Sequence, residues 1–481
     1  MQGFHERALQ AGRAVAELDG TCAAAPDKPG NRRTMVNLIV ETSKYLMIFL
    51  MAVYTYANFR FFSFADLRRK QKVCGRQNRC MFLIHFLAYL VLTLKAGDEL
   101  LKMQLWAFYA AQVVFFLCYI YLYRLIYRNV SRLLVNNTCM LLCVGFIMLT
   151  RLSLDKAVKQ FAIVVISAAV TWLIPWVMER VWQLCKLQWV YAAAGLAVLL
   201  LVCVAGNESF GAQLSLTVGG ISIQPSEFVK ITFVFFVAAM FYQSLEFKTI
   251  LVTTVVAALH VVIMVASKDL GGALIFFITY VAMLFIATGR WSYLLAGAGC
   301  GAGAAVLAYQ LFDHVRRRVF AWSNPWADID NTGYQITQSL FAIGTGGWFG
   351  MGLSQGLPRK IPVVEKDFIF AAISEEMGAI FAICALLICL GCFLQFMMIA
   401  TRMQAVFYKL IALGLGLEYI IQVFLTVGGV TKFIPSTGVT LPFVSYGGSS
   451  ILGTFILFGI IQGLYILKRN DEEEMEMEEE A

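Results

Sequence analysis

Charge is what this sequence has least of. Only 14% of its 481 residues are Asp, Glu, Lys or Arg, where a soluble globular chain carries about 25%. A soluble chain of this length would form two or more domains, and the polar residues to cover their surfaces are missing. Proline is scarce at 9 residues and histidine at 4. A soluble enzyme, a disordered chain and a disulfide-built secreted domain are excluded on these grounds. There is no Walker or dinucleotide glycine pattern, and no long basic run interleaved with aromatics, so nucleic acid is not an expected partner. Residues 1–35 are polar and lack the apolar stretch of a cleavable signal peptide. The 12 cysteines sit mostly in apolar segments, and the CxxC pair Cys389 and Cys392 has no His or acid beside it, so packing outweighs metal or redox chemistry.

What the sequence does hold is apolar. Hydrophobic residues make up 60% of the chain, 38 of them Phe, and the solvent they imply is lipid. A bilayer core needs roughly 20 apolar residues per helix. Ten spans are expected near 136–153, 158–178, 188–205, 226–243, 249–266, 270–287, 292–310, 368–399, 405–428 and 442–467. Three more precede them, near 36–59, 81–96 and 103–123, the first interrupted by Glu41 and Lys44. The chain thus divides into residues 1–135 with about three transmembrane helices, a ten-helix core over 136–468, and an acidic tail over 469–481. No internal repeat suggests an inverted-repeat transporter.

Net charge is +8, and without 471–481 it is 38 Lys and Arg against 22 Asp and Glu. Basic residues mark cytoplasmic loops. Arg68, Arg69, Lys70, Lys72, Arg76 and Arg79 place 68–79 inside, as a loop, and the alternation then puts Arg124, Arg128, Arg132, Lys248, Arg290, Arg402, Lys468 and Arg469 inside as well. The acidic end reads as a solvated cytoplasmic tail, or a docking segment.

Residues 311–367 fall outside by this count yet carry Arg316, Arg317, Arg318, Arg359 and Lys360. Either a long loop tolerates them or they serve an anionic substrate. Gln335, Gln338 and Ser339 stand at i, i+3 and i+4, one helical face able to line a polar groove. Closely spaced glycines from Gly344 to Gly356 permit tight backbone approach. Asp367 is placed to cap the helix that follows it. Glu375 and Glu376 lie further down that helix, where two acids at membrane depth are either functional or ion-paired with a neighbouring span. Glu227 and Lys230, one turn apart, read as a structural pair. Lys268 and Asp269 sit at another outer boundary. The last outer loop, 435–450, holds two prolines and three glycines and is too irregular for a helix.

Five segments in order, QPSEFVK, KDLGG, GYQITQSLFAIGTGG, KDFIFAAISEEMG and PSTGVTLPFVSYGGSS, resemble the SEDS family, the cell-shape, division and sporulation proteins RodA, FtsW and SpoVE. The resemblance covers about 136–468 and excludes the first three spans and the tail. It implies an all-α polytopic membrane protein with a ten-helix SEDS-like core, to which the apolar windows add about three extra N-terminal helices. It further implies a peptidoglycan glycosyltransferase that polymerises lipid II on the outer face beside a class B penicillin-binding protein and other division or elongation proteins. The family's essential acid, in its TDFIF-type motif, corresponds to Asp367. Three departures stand out: Lys366 where Thr is usual, Ser267-Lys268-Asp269-Leu270-Gly271 where Gln-Pro-Asp-Leu-Gly is usual, and Thr426 where Asn is usual.

On that reading Asp367 is the general base for the acceptor hydroxyl. A cap position would depress its pKa and a dehydrated pocket would raise it. Arg316, Arg318, Arg359 and Lys360 are the expected diphosphate contacts. Gln335, Gln338, Ser339, Glu376, Ser445 and Ser449 are further expected substrate contacts, with Glu227, Lys230 and Glu375 as supporting charges. No cofactor held by protein alone and no metal cage are expected; a divalent cation, Mg or Mn, would be shared with the diphosphate. A lipid II flippase and a non-catalytic division scaffold are the alternatives. The role implied is in cell division, elongation or sporulation.

Overall fold

The computed structural model describes residues 30–480 apart from 181, 210–211 and 219–220. From Val40 onward they form one compact unit. Thirteen helices among the described residues are long and apolar enough to cross a membrane, at the positions and in the order expected. The protein is a multi-pass, all-α membrane protein.

The first three spans are α1 (Gly30–Arg60), α2 (Leu67–Lys95) and α3 (Glu99–Ile126). Lys44 and Glu41, the charges that interrupt the first, neutralise each other at 2.8 Å. The basic segment 68–79 is no loop. It forms the first turns of α2, which Asp66 caps by accepting from the N–H of Arg68 at 2.9 Å. Long basic side chains with high helix propensity extend the helix past the apolar window.

The next span, α4 (Arg132–Leu152), is buried along its full length. Its polar residues meet the first three helices. Asn136 donates to the Cys74 carbonyl at 3.0 Å and to Gln77 at 3.2 Å. Asn137 donates to Asn58 at 2.9 Å and accepts from the Tyr54 hydroxyl at 3.1 Å. Near its far end Thr150 bonds the Tyr89 hydroxyl at 2.9 Å, which also accepts from Gln112 of α3 at 2.6 Å. The first three spans therefore stand where lipid would otherwise contact α4.

Then come α5 (Leu154–Thr171), α6 (Ile174–Arg180), α7 (Gln188–Ala205), α8 (Ser226–Gln243), α9 (Phe247–Ala266), α10 (Leu270–Thr288) and α11 (Trp291–Leu311). Between α7 and α8 lies a three-stranded antiparallel sheet of β1 (Asn207–Ser209), β2 (Ala212–Val218) and β3 (Ile221–Ile223), with Leu216 opposite Ile223. Outside the apolar windows the chain needs backbone partners, and this short meander supplies them.

The long connection after α11 holds α12 (Asp313–Ser323) and α13 (Tyr334–Gly346). The span expected over 368–399 is broken into α14 (Ile369–Met377) and α15 (Ala379–Arg402) at Gly378, where φ is 89°. The break is bridged by the glycine-rich segment. Met351 and Gly352 donate to the carbonyls of Glu375 and Glu376, and Ala379 and Ile380 donate to those of Gly347 and Trp348, all at 2.9–3.2 Å. A Cβ on Gly350 would stand 2.4 Å from the Glu376 carbonyl oxygen, so this backbone pairing requires glycine there. The chain ends in α16 (Val406–Val430) and α17 (Gly448–Glu480). The acidic tail is not a separate segment but continues α17, and Glu472 pairs with Lys468 at 2.9 Å and Arg469 at 3.0 Å.

Candidate active site

Four connections meet at one end of the bundle. The segment Glu365-Lys366-Asp367 is fastened to the α16–α17 loop. Tyr446 donates its N–H to the Glu365 carbonyl at 2.7 Å, and the Ser445 hydroxyl donates to the Lys366 carbonyl at 2.6 Å. Ser445 in turn accepts from Leu441 N–H at 2.9 Å, and its carbonyl accepts from Gln160 of α5 at 3.0 Å. Ser449 accepts from the Gln224 N–H at 2.8 Å. Both serines, expected to touch substrate, are spent on holding backbone.

Asp367 itself is not a helix cap. Phe368, at φ −106° and ψ 14°, occupies that position, and no side chain caps α14. The depressing effect of a cap is absent, and burial pushes the Asp367 carboxyl up to about 6 against the opposing pull of Lys366 and Arg318. Arg318, from α12, approaches from the other side and donates to the Thr437 carbonyl at 3.2 Å. Gly438, at φ 76°, lies under both groups: a Cβ there would be 3.6 Å from Asp367 Oδ2 and 3.9 Å from Arg318 Nη2. A glycine leaves that space open.

The turn between α9 and α10 completes the wall. Asp269 caps α10, accepting from Gly272 N–H at 2.9 Å. Its carboxyl is raised by burial and by Glu227, with Lys230 and Arg318 opposing, so the charges extend from Asp367 through Arg318 and Asp269 towards Glu227 and Lys230. Lys230 donates to Glu227 at 2.9 Å and to Gln422 at 2.8 Å, and Gln422 donates to the Thr440 carbonyl at 3.0 Å. Thr426, where the resemblance expects Asn, still reaches the Val439 carbonyl at 3.0 Å. Deeper in α16, Glu418 is buried and neither carboxylate oxygen has a partner among the described residues.

Other expected site residues lie elsewhere. Arg316 is exposed and pairs with Asp313 at 3.0 Å. Arg359 and Lys360 are exposed, and Arg359 donates to the Leu152 carbonyl at 2.8 Å. With Lys156 and Glu365, which pair with each other, Arg359 lines a separate cavity of about 240 Å³ that does not include Asp367. Gln335, Gln338 and Ser339 do not share a groove. Gln335 is exposed, Gln338 is half-buried, and the buried Ser339 hydroxyl donates to the Val430 carbonyl at 2.9 Å, docking α13 on the end of α16. Glu376, expected at the substrate, is fully buried: it accepts from Arg151 at 3.0 Å and from Ser354 N–H at 3.1 Å. Glu375 accepts from Leu357 N–H at 2.9 Å. Both acids clamp α14 to the backbone of 354–357, and Glu376 takes the ion-paired alternative through Arg151 of the neighbouring span α4.

Arg151, Gly438 and Glu418 were not among the residues expected at the site. Glu418 alone carried a readable signal, as a lone acid in an apolar run. Among the described residues no group of three or more His, Cys, Asp or Glu could hold a metal.

The fold and this cluster define a polytopic membrane protein with acidic and basic side chains gathered at one end of its helices. The chain belongs to the FtsW, RodA and SpoVE family, described as cell cycle proteins, whose profile matches residues 131–470. It is 38% identical over 298 residues to the protein named peptidoglycan glycosyltransferase RodA of Mycobacterium tuberculosis (strain ATCC 25618 / H37Rv), covering 58% of this chain and 64% of that relative's length. It is 34% identical over 273 residues to stage V sporulation protein E of Bacillus subtilis (strain 168), covering 55% and 75%. Its fold is similar to a chain of a peptidoglycan synthase complex that coordinates polymerization and crosslinking, with a TM-score of 0.60, 22% identity, and 71% and 98% coverage. It is also similar to Thermus thermophilus rod shape determining protein RodA, with a TM-score of 0.54, 21% identity, and 70% and 96% coverage.

Proposed function

We propose that this protein is a peptidoglycan glycosyltransferase that polymerises lipid II at the outer face of the cytoplasmic membrane. The observation that carries the reading is Asp367, a half-buried carboxylate raised to about 6, facing Arg318 across Gly438. Lipid II is an α-linked disaccharide diphosphate on a polyprenyl chain, and a β-1,4 product requires one inverting displacement. The acceptor hydroxyl attacks the anomeric carbon, the bond to the diphosphate oxygen breaks, and the hydroxyl proton passes to Asp367. A base near pH 6 is largely ionised at neutral pH, yet more basic than an ordinary carboxylate. The leaving diphosphate departs as an anion and needs cations, and Arg318 stands beside the base, with Lys366 next to Asp367 in the chain. Mg or Mn, where the reaction uses one, would come with the diphosphate as part of the substrate. The opposite end of the bundle supports an outer-face orientation, because Arg402, Lys468 and Arg469 each act electrostatically on Lys70 there, as a cytoplasmic face would have it.

The similarity to a synthase complex supports a class B penicillin-binding protein as partner. The test is glycan synthesis by the purified protein from lipid II. Long glycan from the wild type and none from Asp367→Asn supports the reading. Transfer of lipid II between leaflets without glycan would instead favour a flippase, and neither activity would favour a scaffold.

A further inference from the structure

The cations at the mouth of the site are unevenly partnered. Lys268 sits at φ 63° in the turn before α10, left-handed backbone that strains any residue but glycine. Proline, usual here in the resemblance, is held near φ of about −65° and could not adopt it. The lysine side chain is exposed and forms no ion pair among the described residues. Across from it on α12 is His314, whose Nε2 is shut from water without a hydrogen-bond partner and whose ring lies 5.5 Å from that of Phe312. The charged groups facing His314 are Arg318 one turn along α12, Lys268 from the α9–α10 turn, and Asp313 beside it. Asp313 is already held by Arg316 at 3.0 Å. Burial and the two cations hold the imidazole below its ordinary range, so at neutral pH it is uncharged. Arg318 links this group to the base, because its Nη2 and Asp367 Oδ2 both border the open space beside Gly438.

We propose that Lys268, His314 and Arg318 form the subsite that grips a diphosphate diester beside Asp367, and that Lys268 and His314, rather than Arg316, Arg359 or Lys360, tune its affinity. The proposal rests on the glycosyltransferase reading for the identity of the ligand. Two adjacent phosphoryl groups call for more than one cationic contact. The guanidinium offers paired donors, the ammonium a mobile point charge, and the imidazole a third donor once protonated. A bound dianion favours charged His314, so binding draws a proton onto the ring. Affinity therefore rises as pH falls through the window between the free and bound values of that ring. A diphosphate diester does not titrate in this range, which leaves the effect to the protein.

The experiment uses the full chain in nanodiscs, with Asp367→Asn to stop turnover. The probe is a short-chain polyprenyl diphosphate disaccharide, and Kd is measured between about pH 5.5 and 8. Lys268→Gln weakens binding about tenfold or more, and Lys268→Arg restores it. His314→Gln removes the tightening at low pH. Unchanged affinity in Lys268→Gln, an unchanged pH slope in His314→Gln, or a larger loss in Lys360→Gln than in Lys268→Gln would each overturn the proposal. Glycan synthesis is scored separately in the wild type. Its absence alongside the binding pattern would sink the polymerase reading and leave the subsite standing, while glycan synthesis without the pattern does the reverse.

Discussion

At the scale of single residues, Asp367 and Glu376 make opposite predictions although both are acids near the same loop. Asp367→Asn keeps the shape and removes the base, and polymerisation is expected to fall by about 10² to 10⁴. Glu376→Gln keeps a hydrogen-bonding group towards Arg151, and glycan synthesis is expected to persist; a loss matching that of Asp367→Asn would restore Glu376 to the substrate. Arg151→Ala leaves Glu376 buried without its cation, at a cost of about 3–5 kcal/mol, so the folded protein is lost before its chemistry. The pH profile follows from Asp367. Its carboxyl is raised from 3.8 to about 6, so rate climbs as pH rises through about 6, where the base ionises. The stability contribution runs the other way. Between those two values the native state holds a proton that the unfolded chain has released, so stability from this group declines as pH rises through the window and stays lost above it. A rate that is flat from pH 5 to 7 would remove Asp367 as the base. Asp367 was legible in sequence through the resemblance of its KDFIF segment to the family's TDFIF-type motif, while its position before an apolar run suggested only a cap that the structure gives to Phe368. Gly438 was not, since its role exists only where three separate loops converge.

At the scale of elements, the apolar windows located the spans, and each of the thirteen has its helix. The break at Gly378 could not be read, because apolar residues continue on both sides and a glycine within a transmembrane run is ordinary. What opens the helix is the pairing of 347–352 with 375–380, a contact between segments with no common sequence pattern. Gly350→Ala tests it. The added carbon would meet the Glu376 carbonyl at 2.4 Å, on backbone already at φ 74°. A loss of several degrees in Tm, measured by fluorescence in detergent, is expected, with polymerisation reduced in step. Full stability in Gly350→Ala would mean that the pairing does not hold α14. The β meander escaped the sequence reading because it is short and lies between apolar windows.

At the scale of the whole molecule, alternation of spans places Gly97 and Arg128 on opposite sides of the membrane. Single cysteines at these exposed positions should label from opposite faces, Gly97→Cys from outside. Labelling from one face would break the thirteen-span topology. The first three spans, read from sequence as an addition to the core, satisfy Asn136, Asn137 and Thr150 of α4. Deleting residues 30–126 is expected to yield no monodisperse protein on size-exclusion chromatography. That dependence was hidden in the sequence, where two asparagines near the start of an apolar run do not announce their partners.

The same arrangement bears on biosynthesis. A ribosome delivers α1, α2 and α3 to the membrane before α4. The polar residues of α4 therefore enter a bilayer in which Asn58, Gln77, Tyr54 and Tyr89 are already waiting. Order of synthesis matches order of need, and the first three helices act as a built-in insertion partner for the fourth.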